Sequence, residues 1–139
     1  MSLRLAVYGL LLDDAGPPDA PRLRDGGRLV GPATIPGVLV DLGAYPGLVE
    51  GPGTVRGELW ELLDPRLLAV ADRYEGYDPR RPDAGPYVRR EIGLVRPAVD
   101  AWAYLYVGPR DGLQRVPGGD WRAHAARRLR AAESGPYSR

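Results

Sequence analysis

Hydrophobic and polar positions alternate near the N-terminus, where Leu3, Leu5 and Val7 are set against Arg4, Ala6 and Tyr8. A period of two puts successive side chains on opposite faces, so this segment predicts a first strand ending at Gly9. The same alternation predicts strands over Arg28 to Ile35 and Gly37 to Leu42, separated by a turn at Pro36-Gly37. It continues over Thr54 to Leu62, with Val55, Gly57 and Leu59 on one face. Tyr87 to Val95 and Val99 to Val107 alternate on either side of Arg96-Pro97-Ala98, which predicts that they pair as neighbours. Asp13 to Gly27, Gly43 to Gly53 and Arg80 to Pro86 concentrate proline and glycine and read as loops.

The period changes at Leu67, Leu68, Ala71 and Tyr74, whose spacings of three and four form one helical stripe. Asp64 supplies a capping acceptor, Pro65 suits the first helical position, and Gly76 supplies a left-handed stop. Glu75 therefore falls in the last turn. Asp120 can cap a second helix running to about Glu133, with Arg122, Arg127, Arg128 and Arg130 on a solvated basic side. Six or so strands and two helices, without regular strand–helix alternation, predict an α+β domain around a mixed or barrel-like sheet. The expected organisation is one domain over residues 1–133 and a loose tail over 134–139.

Composition narrows the chemistry. The 139 residues include no cysteine, no lysine, one histidine (His124) and three serines, Ser2, Ser134 and Ser138, all near the ends. Thr34 and Thr54 are the only threonines. A thiol nucleophile and a Schiff-base lysine are excluded, and a Ser/His/Asp triad in the body of the domain is disfavoured. A histidine-rich metal site is excluded too, so no metal ligands are assigned. Proton traffic is left to carboxylates and tyrosines. The 19 basic residues are all arginine and scattered, and the net charge of +1 gives no reason to expect a nucleic-acid or membrane partner. There is no apolar run of ~18 residues and no signal-peptide shape at Met1-Ser2-Leu3-Arg4, so a cytoplasmic protein, monomeric by default, is expected.

Three segments hold candidate chemistry, each with a plainer alternative. A strand ending in Tyr8-Gly9 before Leu10-Leu11-Leu12 leaves backbone amides that can cradle a carboxylate or oxyanion, or it is an ordinary strand end followed by core leucines. Asp72 and Glu75 share a face near the negative end of a helix dipole. Their mutual repulsion should raise the pKa of at least one, which suits a general base for an amine; alternatively either acid pairs with Arg73 or Arg89. Tyr87 and Arg89 share a strand face, where Arg89 is either a bidentate carboxylate holder or half of a packing pair. Pro117-Gly118-Gly119-Asp120-Trp121 reads as a turn into a helix cap, and His124 as a lone surface or packing residue.

Taken together, Val7-Tyr8-Gly9-Leu10-Leu11, Asp72-Arg73-Tyr74-Glu75-Gly76, Tyr87-Val88-Arg89 and Gly119-Asp120-Trp121 resemble the γ-glutamylcyclotransferase-like family, in its order and at compatible spacing. The resemblance runs from the first strand to Trp121. It implies a small mixed β-barrel flanked by helices, with the substrate over the Tyr-Gly loop. It implies that Glu75 is the catalytic proton acceptor and that Tyr8, Gly9, Leu10, Leu11 and Leu12, with Asp13 just beyond, form the substrate-holding loop. Tyr87 and Arg89 would line the same pocket. Leu10 stands where the family usually has serine or threonine. The implied reaction is an intramolecular acyl transfer that releases 5-oxoproline and an amine from a γ-glutamyl substrate, with no metal or organic cofactor. The competing expectation is a non-catalytic small-molecule binding or interaction module on the same fold.

Overall fold

Among the described residues of the computed structural model (3–12, 18 and 20–133), five strands and two α-helices carry the architecture. The strands are β1 (Arg4–Val7), β2 (Gly27–Asp41), β3 (Pro46–Leu62), β4 (Tyr87–Gly93) and β5 (Asp100–Tyr106). Helix α1 is Arg66–Glu75 and α2 is Trp121–Glu133. The sheet order is β2-β3-β1-β5-β4, with β1 antiparallel to β3 and parallel to β5. The α+β class and the mixed sheet are therefore as expected. The expected barrel needs correcting, because β2 and β4 remain edges and the sheet does not close. A clip stands in for closure: the Thr34 N–H donates to the Arg96 carbonyl at 2.7 Å, and the Val95 N–H donates back to Thr34 at 2.9 Å.

Two boundaries differ from the sequence expectation for a shared reason. Pro36-Gly37 is not a turn between two strands but lies inside the continuous β2, opposite a bulge in β3, and Gly43 to Gly53 is not all loop, since β3 starts at Pro46. Pro36 pairs with Thr54 and Val38 with Val49, so several residues of β3 bulge outward against one of β2. Pro52 sits in that bulge, where no ladder amide is needed. Long-range pairing thus overrides local breakers.

Both faces of the sheet are buried. Ala6, Ile35, Val55, Leu59 and Ala103 fill the inside of the curl together with Trp121 of α2. Leu5, Val7, Trp60 and Tyr104 form the other face, against Leu67 and Ala71 of α1. Alternation in β1 therefore separates two cores rather than a core from solvent, and Leu5, Ala6 and Val7 are at most 2% exposed. The chain leaves β1 at Tyr8-Gly9, both buried, and this turn shares a cavity with the end of α1.

That end is fixed locally. Asp64 Oδ1 accepts the Arg66 N–H at 3.0 Å, and Pro65 already has helical angles. At the other end Gly76 adopts φ +74°, the Tyr77 N–H donates to the Asp72 carbonyl at 2.8 Å and the Gly76 N–H to Arg73. This double closure stops the helix one residue after Glu75. Helix α2 is capped as expected, with Asp120 Oδ1 accepting the Ala123 N–H at 3.0 Å. Its basic side is less free than expected: Arg122 pairs with Glu58 and Arg128 with Asp41. His124 is likewise no lone residue, since its Nε2 lies 2.8 Å from Asp41 Oδ2. Burial would raise the Asp41 carboxyl, but hydrogen bonds from His124 and Gly43 and the charge of Arg128 outweigh it and hold the group below the usual carboxylate range. Among the described residues no helix is long and apolar enough to cross a membrane. The tail at 134–139 lies outside the described residues.

Candidate active site

A cavity of about 450 Å³ opens between the Tyr8–Leu11 turn, the start of β3, the end of α1 and the β4–β5 pair. This size falls in the range of roughly 300–1,000 Å³ that suits small-molecule sites. Glu75 is the only carboxylic acid among its lining residues. The residue keeps some exposure, but its carboxyl group is largely buried, and burial raises its pKa to about 7. No hydrogen bond or ion pair from another described residue engages that carboxyl. The raised pKa was expected from repulsion by Asp72; the cause is instead loss of water. Asp72 turns away to the neighbouring strands.

Five tyrosines line the cavity, and three of them, Tyr8, Tyr87 and Tyr104, feel the charge of Glu75. The Tyr8 hydroxyl donates to the Tyr104 carbonyl at 2.7 Å and accepts the Leu48 N–H at 3.2 Å. The Tyr87 hydroxyl donates to the Pro46 carbonyl at 2.7 Å, and that of Tyr104 to Asp72 Oδ1 at 2.7 Å. Burial first, and the nearby Glu75 charge among the further causes, pushes all three phenols well above their ordinary range. They stay protonated at neutral pH. Their hydroxyls are spent on the frame, so these rings shape the cavity and exclude water without exchanging protons.

The Tyr8–Leu12 segment is a tight turn in which the Leu12 N–H donates to the Gly9 carbonyl at 3.0 Å. Leu12 is thereby taken from the expected cradle: its amide is used and its side chain is buried in the core. The amides of Leu10 and Leu11 have no backbone acceptor among the described residues, and both residues line the cavity. Asp13 lies outside the described residues. Gly9 has a second duty. A Cβ built there would stand 2.6 Å from Pro46 Cγ and 2.9 Å from Cδ. Gly9→Ala should force the turn away from β3, costing roughly 1–3 kcal/mol by overpacking and distorting the cavity. Thermal denaturation and ligand binding together check this; an unchanged melting temperature and affinity would show that Pro46 yields freely.

Arg89 is not brought to the cavity. Its Nε lies 2.8 Å from Asp72 Oδ1 and its second nitrogen 3.2 Å from Oδ2, and its guanidinium stacks 4.5 Å from the Trp102 ring centroid. It does hold a carboxylate with two bonds, but that carboxylate is the protein's own. The reason is the placement of α1: it brings Asp72 to Arg89, whereas Tyr87, two residues earlier on β4, lines the cavity. Sequence reasoning missed Tyr104, Tyr45, Pro46 and Arg73 among the lining residues. The period-two set Trp102, Tyr104 and Tyr106 marked one aromatic face of β5 and was the available signal for Tyr104. Among the described residues no group of three acidic or histidine side chains gathers as a metal ion would need.

A buried carboxylic acid with no hydrogen-bond or ion-pair partner among the described residues, and a turn whose Leu10 and Leu11 amides have no backbone acceptor there, line one cavity of small-molecule size. The family described as "Gamma-glutamyl cyclotransferase, AIG2-like" matches residues 5–123, and the chain belongs to it. It is 34% identical over 120 residues to the γ-glutamylcyclotransferase family protein YtfP of Escherichia coli K12, covering 86% of this chain and 96% of that one. A putative γ-glutamylcyclotransferase of Vibrio cholerae is 37% identical over 83 residues, 60% of this chain and 64% of its own. The solution structure of E. coli ytfP superposes with a TM-score of 0.63 at 35% identity, covering 86% and 96% of the two chains. A crystal structure of a mouse AIG2-like protein, 22% identical, shares the fold with a TM-score of 0.61 over 79% of this chain and 80% of that one.

Proposed function

We propose that the chain is a γ-glutamyl cyclotransferase that converts a γ-glutamyl amide into 5-oxoproline and a free amine, with Glu75 as general base and then general acid. The supporting observation is the buried carboxyl group of Glu75, alone in its cavity with a pKa near 7. In this reaction the substrate's α-amine attacks its own γ-carbonyl carbon, a C–N bond forms, and the C–N bond to the leaving amine breaks. The α-ammonium must first lose a proton. Relative to an ordinary carboxylate near 4.3, an acceptor near 7 makes that transfer about 3.7 kcal/mol less uphill. The same proton then passes to the leaving nitrogen. The free amides of Leu10 and Leu11 are suited to the α-carboxylate or the developing oxyanion. Holding the substrate in the curled conformer could contribute more, since effective molarities of ~10⁵ M are attainable for well-oriented intramolecular reactions.

Incubation with a panel of γ-glutamyl dipeptides and γ-glutamyl amines should release 5-oxoproline and amine in equal amounts. The reaction should quicken as pH rises through about 7, because the base form of Glu75 is required. A second reading, a binding module without turnover, is favoured by one observation: Leu10 lines the cavity with an aliphatic side chain where the family usually offers a hydroxyl. Binding across the panel with no 5-oxoproline would support that module and contradict the enzyme.

A further inference from the structure

The turn between β2 and β3 brings Tyr45 and Pro46 to the cavity wall, and Asp41 stands at its foot. The Asp41 carboxylate joins this turn to α2. Its Oδ1 accepts the Gly43 N–H at 2.7 Å, inside the turn. Its Oδ2 lies 2.8 Å from His124 Nε2 and 3.1 Å from an Arg128 guanidinium nitrogen, which also reaches Oδ1 at 3.3 Å. Both α2 side chains rest on the buried Trp121. The His124 ring centroid is 5.6 Å from that of Trp121, and the Arg128 guanidinium carbon is 5.7 Å from it.

Backbone pairing holds β2 as far as its last residue, where the Asp41 N–H donates to the Gln114 carbonyl at 2.8 Å. Beyond that point the Leu42 N–H closes on the Tyr45 carbonyl at 3.0 Å, a bond within the turn itself. Gly43, Ala44 and Tyr45 are exposed. The Asp41 carboxylate is thus placed to pass the position of α2 on to the turn, and the consequence reaches the cavity at Tyr45. That residue lines the cavity, yet it is 43% exposed and its hydroxyl makes no hydrogen bond among the described residues. Its ring leans on Tyr87 with centroids 6.4 Å apart. Pro46, by contrast, is buried and accepts the Tyr87 hydroxyl at 2.7 Å. Tyr45 is an aromatic wall whose place depends on its turn.

We propose that Asp41, clasped by His124 and Arg128, is a positioning residue that holds Tyr45 ready for the ligand, so that binding does not have to order the turn. The proposal rests on the reading of the cavity as the substrate site. No proton transfer is assigned to Asp41, His124 or Tyr45, and the acid–base step stays with Glu75. The expected effect falls on affinity rather than on the chemical step. Ordering one side chain on binding weakens affinity by roughly two- to tenfold.

The first measurement needs no ligand. Backbone amide order parameters at Gly43, Ala44 and Tyr45 should lie near the rigid value of about 0.85 in the wild type and fall below about 0.6 in Asp41→Ala. Unchanged order would overturn the proposal. The second measurement follows turnover of γ-glutamylglycine. Asp41→Ala should raise KM roughly two- to tenfold and leave kcat within about twofold of wild type. His124→Ala combined with Arg128→Ala spares the Gly43 bond and should have the same effect; an unchanged KM there would overturn the role of the clasp. If Asp41→Ala fails to fold, this α2 variant carries both measurements. In a Tyr45→Ala background Asp41→Ala should no longer change KM, although it should lower the melting temperature as much as it does in the wild type. Additive changes in KM would show that Asp41 does not act through Tyr45, and would overturn the proposal. Absence of 5-oxoproline counts against the proposed reaction and leaves the order parameters to decide the role of Asp41.

Discussion

Glu75→Gln should leave the fold and substrate affinity in place while kcat falls by about 10²–10⁴, the usual contribution of a positioned acid–base group. The amide keeps the shape of the side chain but neither accepts the ammonium proton nor returns one. Stability should move in the opposite direction. Burial holds the folded-state pKa of Glu75 near 7, above its ordinary unfolded value, so the folded protein binds the proton more tightly. Any contribution from this group is complete below about pH 4.5 and is lost as pH rises through 7, by at most about 3 kcal/mol. Glutamine carries no such dependence. The variant should therefore melt above wild type at pH 8, with the gap closing towards pH 4.5. Melting curves at the two pH values, beside single-turnover assays, check both halves. A variant as active as wild type would remove Glu75 from the mechanism.

Asp72→Ala should be the most destabilising single change near the site. Asp72 is 5% exposed and accepts from two of the three guanidinium nitrogens of Arg89 and from the hydroxyl of Tyr104. Its removal strands a largely buried guanidinium and a phenol without its acceptor. Breaking such a pair costs about 3–5 kcal/mol, which lowers the melting temperature by on the order of 10 °C. Because Asp72 lies one turn before Glu75, the end of α1 loses its tie to β4 and β5, and the proposed base loses its placement. Asp72→Asn retains an acceptor for Tyr104 and should recover part of the stability. A melting temperature within 2–3 °C of wild type for the alanine variant, on the order of 1 kcal/mol, would show that the Arg89 pair contributes little.

The parts legible in the sequence are those decided locally. The start of α1 at Asp64-Pro65 and its stop at Gly76 follow from capping chemistry within a few residues, and they fix Glu75 in the last turn. The Tyr8-Gly9 turn follows from a strand pattern that ends in glycine. What escaped depends on residues far apart in the chain. Tyr104 reaches the cavity because β1 and β5 lie side by side, bringing it to Tyr8 across 96 positions. Arg89 shares a strand face with Tyr87, but only the placement of α1 decides that it meets Asp72 rather than the cavity. The bulge opposite Gly37 hid the start of β3, since local glycine and proline imitate a loop. Closeness of Asp72 and Glu75 in sequence pointed to repulsion, whereas their environments separate them: one is neutralised by Arg89 and the other is deprived of water.

The central proposal is that the Glu75 carboxylate is the base for cyclisation. It is tested most directly by following the side-chain carboxyl carbon of Glu75 by NMR over pH 4–9, alongside kcat/KM for a γ-glutamyl substrate. The expected result is a titration centred near pH 7 that coincides with the rise in rate and vanishes in Glu75→Gln. A Glu75 titration near 4.5, or a rate profile that ignores it, would contradict the proposal.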